Sequence, residues 1–358
     1  MKDFDEIFGQ KPWIIAGPCS AETEEQTIDT ARQLAKNGIK VFRAGIWKPR
    51  TRPGNFEGVG AVGLEWMREV KKETGMLIST EVANVKHVWD AIKAGIDILW
   101  IGARTTANPF AMQEIADSLR GCNIPVFVKN PVNPDVELWL GAIERLEAAG
   151  LTQIGLIHRG FSSYEKILYR NAPIWQVPIE IRRRRPDLPL ICDPSHIAGK
   201  REYLFEISQK ALDLNVDGLM IESHRNPDEA WSDAKQQLTP NDLMKMVDQL
   251  VVRKVNPDGI SMESLNELRY KIDQIDAELL DTLQKRMGIS QKIGEYKKAN
   301  NMTVLQPSRW DAILNKYVEK GAEKNLDKEL ITKIFTAIHQ ASINIQVDVI
   351  NGKNNETK

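Results

Sequence analysis

Thiol, imidazole and carboxylate side chains stand at Cys19, His196, Glu222 and Asp233, a donor set that suits a divalent transition metal such as Mn²⁺, Fe²⁺ or Zn²⁺. Each alone has a plainer reading, because a buried cysteine usually serves packing and a single histidine is usually a satisfied polar group. A second set of residues gives them weight. Arg43, Lys48, Arg50, Arg104, Lys129 and Arg159 would repel one another around one metal unless an anionic ligand offset them. Arginine is the planar fork for phosphate and carboxylate, so the chemistry implied is the handling of small phosphorylated substrates, more than one of them. Lys48 and Arg50 lie in WKPRTRPGNFEG (47–58), where proline and glycine prevent a regular element and the cations project from irregular backbone.

The elements that must position these residues are short apolar runs: WIIAG (13–17), KVFRAG (40–45), MLISTEV (76–82), ILWIG (98–102), PVFVKN (125–130), IGLIHRG (154–160), LPLICDP (188–194) and GLMIESH (218–224). Amphipathic stretches separate most of them. Eight such runs predict a (β/α)8 TIM barrel, with a doubly wound open sheet as the alternative. Cys19, Arg43, Glu81, Arg104, Lys129, Arg159, Asp193 and Glu222 fall one per run, at or just past its C-terminal end. In a barrel those ends converge on the face where active sites are built. The four metal donors are read as lying on separate strand ends.

With 358 residues the chain has room for a large and a small unit, and 42% hydrophobic content is enough for a real core. Lys and Arg number 48 against 49 Asp and Glu, so no global field draws nucleic acid or an anionic membrane. RRRR (182–185) is read as a solvated cluster at a helix C-terminus. No charged-then-apolar leader and no apolar run near ~18 residues is present, so the protein is read as cytoplasmic. Cys19, Cys122 and Cys192 form neither a disulfide framework nor a CxxC pattern.

The barrel pattern ends near Val252. It gives a barrel domain over 1–252, a linker over 253–261 with Pro257, Asp258 and Gly259, an all-helical domain over 262–346 and a disordered tail over 347–358. Leu265, Leu268, Ile272, Ile275, Leu279 and Leu283 recur at spacings of three and four, the stripe of a helix running to about Ala299. Two further helices are expected at roughly 307–320 and 327–346. So long a first helix cannot bury its stripe within so small a domain, which predicts a homodimer or higher homo-oligomer. Arg286 and Lys297, eleven apart, fall within about 20° of one helix face, whereas Arg269 lies about 100° from Arg286. Were the three cations to serve one site, Arg269 would not easily reach it from its own helix, and a dimer in which it enters the other copy's site would resolve this.

The motifs GPCSAE (17–22), RAGIWKPRT (43–51), GAR (102–104), VKN (128–130), HRG (158–160), CDPSH (192–196), IESH (221–224) and WSDAKQQL (231–238) together resemble 3-deoxy-D-arabino-heptulosonate 7-phosphate (DAHP) synthase over about residues 10–250. The resemblance implies a metal-dependent condensation of phosphoenolpyruvate with erythrose 4-phosphate on a (β/α)8 barrel. It makes Cys19, His196, Glu222 and Asp233 the metal ligands, for Mn²⁺ first, with Fe²⁺, Co²⁺ or Zn²⁺ as alternatives. It places Arg104, Lys129 and Arg159 on phosphoenolpyruvate, Arg43 and Lys48 at its carboxylate, and Arg50 and Thr51 on the aldose phosphate; Asp193 joins the substrate-binding set. Lys48 is the candidate proton donor. The related octulosonate-phosphate synthases typically carry a KANRS-like segment where this chain has KPRT (48–51), which favours the four-carbon sugar. Arg52 departs from the Ser-Pro pair common after that motif.

LNELRYKIDQIDAELLDTLQKR (265–286) and the cations after it resemble the all-helical chorismate mutases over about 262–346. The resemblance implies rearrangement of chorismate to prephenate without a cofactor. Arg269 and Arg286 then serve the carboxylates, Lys297 and Gln346 the ether oxygen, and Arg309 and Ser342 further contacts. Trp310 stands where bacterial mutases often place a glutamate. The reading is a bifunctional shikimate-pathway enzyme. Its first strand begins near residue 13, so the reading gives the helical domain the regulatory role, feedback inhibition of the barrel. The alternative is a helical domain that only dimerises and senses ligand.

Overall fold

The computed structural model of the chain describes residues 4–9, 11–48, 54, 56–164, 167–254, 261–305 and 307–352, without the side chains of residues 5 and 307–309. Arg50, Thr51, the side chain of Arg309, most of the expected linker and residues 353–358 lie outside the described residues. The chain divides into two units, Met1–Pro257 and Asp258–Lys358.

Trp13–Gly17 (β1), Val41–Arg43 (β2), Leu77–Val82 (β3), Ile98–Ile101 (β4), Val126–Lys129 (β5), Ile154–His158 (β6), Leu190–Cys192 (β7) and Gly218–Glu222 (β8) form one closed parallel barrel in sequential order. The seam is β1 against β8, in register from Trp13 with Gly218 to Gly17 with Glu222. The strands are apolar on both faces because both are buried. Alternate residues divide between two cores. Ala16, Phe42, Leu99, Val128 and Leu156 pack outward under the helices. Ile15, Val41, Ile98, Trp100, Phe127, Ile157 and Met220 fill the barrel's interior. Side-chain caps start the surrounding helices: Thr23, Asn84, Asp135 and Thr239 each accept from a backbone N–H three residues on.

A short helix, Phe4–Phe8, precedes β1, and its two aromatics stack on Trp13 with centroids 5.8 and 4.8 Å away. Both also meet Phe127 edge-on, at 5.2 and 6.1 Å. Space for the Phe127 ring is left by Gly155, where a Cβ would come within 2.4 Å of a ring carbon. The N-terminal end of the barrel is thus packed with aromatic side chains, and chemistry is left to the other end.

The second unit is built from Glu263–Ala299, Pro307–Glu323 and Lys328–Ile350. The last helix runs on through Ile350, so residues 347–350 are helical and the expected disordered tail does not begin at 347. The reason is local: Val347, Val349 and Ile350 continue an apolar pattern, and Lys298 Nζ donates to the Val349 carbonyl at 3.0 Å. The first helix packs with Lys328–Ile350 through its later turns, where Ser290, Gly294 and Lys297 are buried. In its earlier turns Leu265, Leu268, Ile272, Ile275 and Leu279 are between 41% and 62% exposed. Among the described residues no helix is long and apolar enough to cross a membrane. The RRRR segment is ion-paired: Arg182 to Asp217, Arg183 to Glu180, Arg184 to Glu180 and Glu137, and Arg185 to Glu147 and Asp187.

Gly155→Ala forces a methyl against the Phe127 ring, and overpacking of this kind costs about 2 kcal/mol. Denaturant unfolding of the barrel, followed by circular dichroism, is expected to show a lower midpoint. An unchanged midpoint would mean that the aromatic plug yields freely.

Candidate active sites

Cys19 lies two residues beyond β1 and is fully buried. Its backbone N–H donates to Gln237 Oε1 at 2.9 Å, its Sγ to Asp233 Oδ2 at 3.1 Å. Lys48 Nζ donates to the Cys19 carbonyl at 3.0 Å and also contacts Sγ. Glu222 ends β8 with no exposure; Oε1 accepts from Arg43 Nη1 at 3.2 Å and Oε2 from Gln236 Nε2 at 2.7 Å. The donor atoms of Cys19, Glu222 and Asp233 all lie within 4.8 Å of one another. His196 is not part of that group, but its Nε2 reaches to 3.7 Å from Glu222 Oε1.

The four donors do not occupy four strand ends. Asp233 stands in the segment after β8, eleven residues beyond Glu222, and is aimed back by a left-handed backbone at φ 52°. That conformation is uncommon outside glycine, though aspartate tolerates it better than most. Arg170 fixes the carboxylate, donating to Asp233 Oδ1 at 2.9 Å and to Gln236 Oε1 at 2.7 Å. His196 sits on the short helix Pro194–Ala198, capped by Asp193, whose Oδ1 accepts from the His196 backbone N–H at 3.1 Å. Asp193 Oδ2 lies 2.8 Å from His196 Nδ1, which turns Nε2 toward Glu222.

Burial by itself would raise the carboxyl of Asp193, but His196 and Lys129 outweigh it and hold it well below the usual range. The same contest lowers Glu222 through His196 and Arg43, and Asp233 through Arg170 and Lys48. Burial, then Glu222, pushes the Cys19 thiol upward. Ionised carboxylates around a buried thiol are a set whose proton a divalent cation would displace, and the mixture of sulfur, oxygen and imidazole nitrogen fits such an ion.

The cations stand on the same rim. Arg43 Cζ is 4.9 Å and Lys129 Nζ 5.9 Å from the ring centroid of Trp100, whose Nε1 donates to Glu81 Oε2 at 3.0 Å. Lys129 Nζ donates to Asp193 Oδ2 at 2.7 Å. Arg159 Nη1 donates to Asn171 Oδ1 at 2.9 Å, and its backbone N–H to Asn130 Oδ1 at 2.7 Å. Burial, with Arg170 and Arg104 nearby, lowers the Arg159 pKa to about 10, which leaves it charged at neutral pH. Arg104 lies exposed on the turn Ala103–Thr106 just past β4. Arg43, Lys48, Arg104, Lys129, Arg159 and Arg170 outnumber the carboxylates Glu81, Asp193, Glu222 and Asp233, so the rim suits an anion. A different cavity, of about 600 Å³, is lined by Glu6, Lys40, Thr74, Asp97 and Gln153, among others, and gathers none of these groups.

Sequence reasoning missed Arg170, Gln236, Gln237 and the supporting Asn130 and Asn171. The glutamines stand in WSDAKQQL and Asn130 in VKN, both singled out as motifs, but Arg170 has no pattern that marks it.

In the helical unit a cavity of about 520 Å³ receives Arg286, Lys297, Ser342 and Gln346. Arg286 Nη1 donates to Ser342 Oγ at 2.5 Å, and Lys297 Nζ to the Val304 carbonyl at 2.6 Å. Gln346 is 8% exposed, and its buried Oε1 has no hydrogen-bond partner among the described residues. Gly294 admits the last helix, since a Cβ there would lie 3.1 Å from Gln346 Cα. Arg269 is not brought to this cavity; it is exposed, and donates to Asn266 Oδ1 at 3.3 Å.

Residues 5–255 match the model of the DAHP synthetase I family, and residues 268–347 that of chorismate mutase type II. A phospho-2-dehydro-3-deoxyheptonate aldolase of Thermotoga maritima is 37% identical over 225 residues, 63% of this chain and 64% of that protein. The match thus spans less than two thirds of that relative's length. A 2-dehydro-3-deoxyphosphooctonate aldolase of Geobacter metallireducens is 28% identical over 265 residues, 68% of this chain and 92% of that protein. The crystal structure of a Thermotoga maritima DAHP synthase aligns with a TM-score of 0.59 at 33% identity, covering 66% of this chain and 67% of that one. Its truncated form aligns at 0.56 and 31%, covering 66% of this chain and 84% of that one. The chain belongs to the type I DAHP synthase family, with a chorismate mutase type II domain following its barrel.

Proposed function

We propose that the chain is a bifunctional enzyme that condenses phosphoenolpyruvate with erythrose 4-phosphate in the barrel and rearranges chorismate to prephenate in the helical unit. The observation that carries the first activity is the cluster of Cys19, Glu222 and Asp233 beside a rim on which cations outnumber carboxylates, with Arg43, Lys129 and Arg159 buried. With His196 these residues would hold one divalent ion, which when bound supplies Lewis acidity toward the aldehyde oxygen. The chain's own cations do the rest. Arg104, Arg159 and Lys129 hold phosphoenolpyruvate, Arg43 and Lys48 lie at its carboxylate, and Arg50 and Thr51 take the aldose phosphate. Asp193 orients His196 and Lys129. Two anions that repel each other in water are thereby brought within bonding range. The vinyl carbon of one attacks the aldehyde carbon of the other, water adds at the former enol carbon, and the phosphate leaves with its oxygen. Lys48 Nζ holds the proton that the aldehyde oxygen takes up as it becomes an alcohol.

The choice of erythrose 4-phosphate rests on KPRT (48–51) and on the name of the Thermotoga relative. Manganese is the first choice of metal, with iron, cobalt and zinc next.

In the helical unit Arg286 takes a carboxylate, and Lys297 and Gln346 steady the negative charge that develops on the ether oxygen. Ser342 is held by Arg286, and Arg309 adds a contact. Arg269 precedes Arg286 by seventeen residues, about 25 Å along a helix, and therefore serves the site of a second copy. The exposed stripe on the same turns is the surface that such a homodimer buries. The helical domain also passes the presence of chorismate or prephenate to the barrel as feedback inhibition.

Phosphoenolpyruvate consumption by the full chain tests the barrel reading. It is expected with erythrose 4-phosphate, to cease on chelation and to return with Mn²⁺; equal or better turnover of arabinose 5-phosphate would overturn the sugar assignment. Added prephenate is expected to slow that rate, and an unchanged rate removes the regulatory part. For the helical unit, Arg269→Ala and Arg286→Ala chains should each lose at least about 100-fold in mutase kcat. Mixed, they should regain up to a quarter of the parent rate, because one site in a mixed dimer has both arginines. No recovery on mixing would place Arg269 and Arg286 of one site on the same chain.

A further inference from the structure

We propose that His339, seated on Trp310, is a specificity-determining residue of the helical cavity that hydrogen-bonds the ring alcohol of its ligand. The inference rests on reading that cavity as a chorismate site. The two rings are parallel within 10°, with centroids 4.0 Å apart, and both line the cavity that receives Arg286 and Gln346. His339 precedes Ser342 by three residues and Gln346 by seven on Lys328–Ile350, so the three share one helix face. Stacking occupies the face of the imidazole, whereas its hydrogen-bonding atoms lie in the ring plane and remain available. Among the described residues neither ring nitrogen has a hydrogen-bond partner. Partial burial, then Arg286 beside it, lowers the imidazole's pKa, which keeps it neutral at neutral pH. A neutral imidazole offers one donor and one acceptor.

Beside Arg286, Lys292 and Lys297, which favour charged or developing-negative oxygens, a neutral donor and acceptor suits an uncharged one. Chorismate presents two carboxylates, an ether oxygen and one alcohol. Arg286 and Arg269 of the partner subunit meet the carboxylates, and Lys297 and Gln346 the ether oxygen. The alcohol remains, and as both donor and acceptor it complements a neutral imidazole. Trp310 fixes the ring plane and so sets where that hydrogen bond can be made.

The test is the kcat/KM of the full chain for chorismate and for an analogue whose ring alcohol is replaced by hydrogen. His339→Phe keeps an aromatic ring on Trp310 and removes both nitrogens. It is expected to lose about tenfold on chorismate, the factor that about 1.4 kcal/mol represents, and nothing on the analogue. His339→Leu is a second nitrogen-free variant with the same expectation, should the Phe ring disturb the stack. His339→Gln, which keeps a donor, should retain most of the preference for the alcohol. The inference is overturned if the nitrogen-free variants keep the parent's ratio between the two substrates. A parent chain that does not convert chorismate overturns the cavity reading and this inference together, whereas an active parent with unchanged ratios in the variants overturns the role of His339 alone.

Discussion

Glu222 is a fully buried carboxyl that its partners hold toward the ionised form, and much of the barrel site follows from how that charge is met. A carboxylate taken out of solvent costs several kcal/mol unless partners surround it. Here Arg43 donates to one oxygen, Gln236 to the other, and His196 stands 3.7 Å away. Each partner comes from a different part of the barrel: β2, the segment after β8, and the helix after β7. The closing register of β1 on β8 sets Gly17 opposite Glu222, and so brings Cys19, two residues on, over the same point. Closing the barrel therefore brings two of the donors, Cys19 and Glu222, together.

A chain of supporting contacts spreads outward from that charge. Arg43 lies over the Trp100 ring, Trp100 is tied to Glu81, and Lys129 approaches the same ring while holding Asp193. Asp193 in turn aims His196 back at Glu222. Such a ring of paired charges positions groups more than it stabilises the fold, because each pair offsets a desolvation cost of its own. The packed aromatic end around Trp13 and Phe127 supplies the stability that the polar end lacks.

How much of this was legible depends on the kind of signal each residue carries. Strand ends were readable because an apolar run stops at the residue that turns polar, which is why Cys19, Arg43, Lys129, Arg159 and Glu222 could be read as one set. Asp233 was found by its motif, but its approach depends on a left-handed backbone and on Arg170, which no periodicity reveals. Gln236 and Gln237 look like ordinary polar residues until the fold turns them onto Glu222 and Cys19. In the helical unit the stripe and the cations were visible at spacings of three, four and eleven. The last helix outruns its expected end at 346 because the mutase resemblance stops at Gln346, whereas Val347, Val349 and Ile350 continue the apolar pattern. His339 was passed over because a half-buried histidine on a helix has no meaning until Trp310 is seen stacked on it.

The central claim is that Cys19, as a thiolate, holds one divalent ion together with His196, Glu222 and Asp233. Cobalt substitution tests it directly, since a thiolate bound to Co²⁺ gives a charge-transfer absorption in the near ultraviolet. The parent chain loaded with one equivalent of Co²⁺ should show that band, and Cys19→Ser should lack it. A band that survives in Cys19→Ser, or a parent that takes up cobalt without one, would contradict the account.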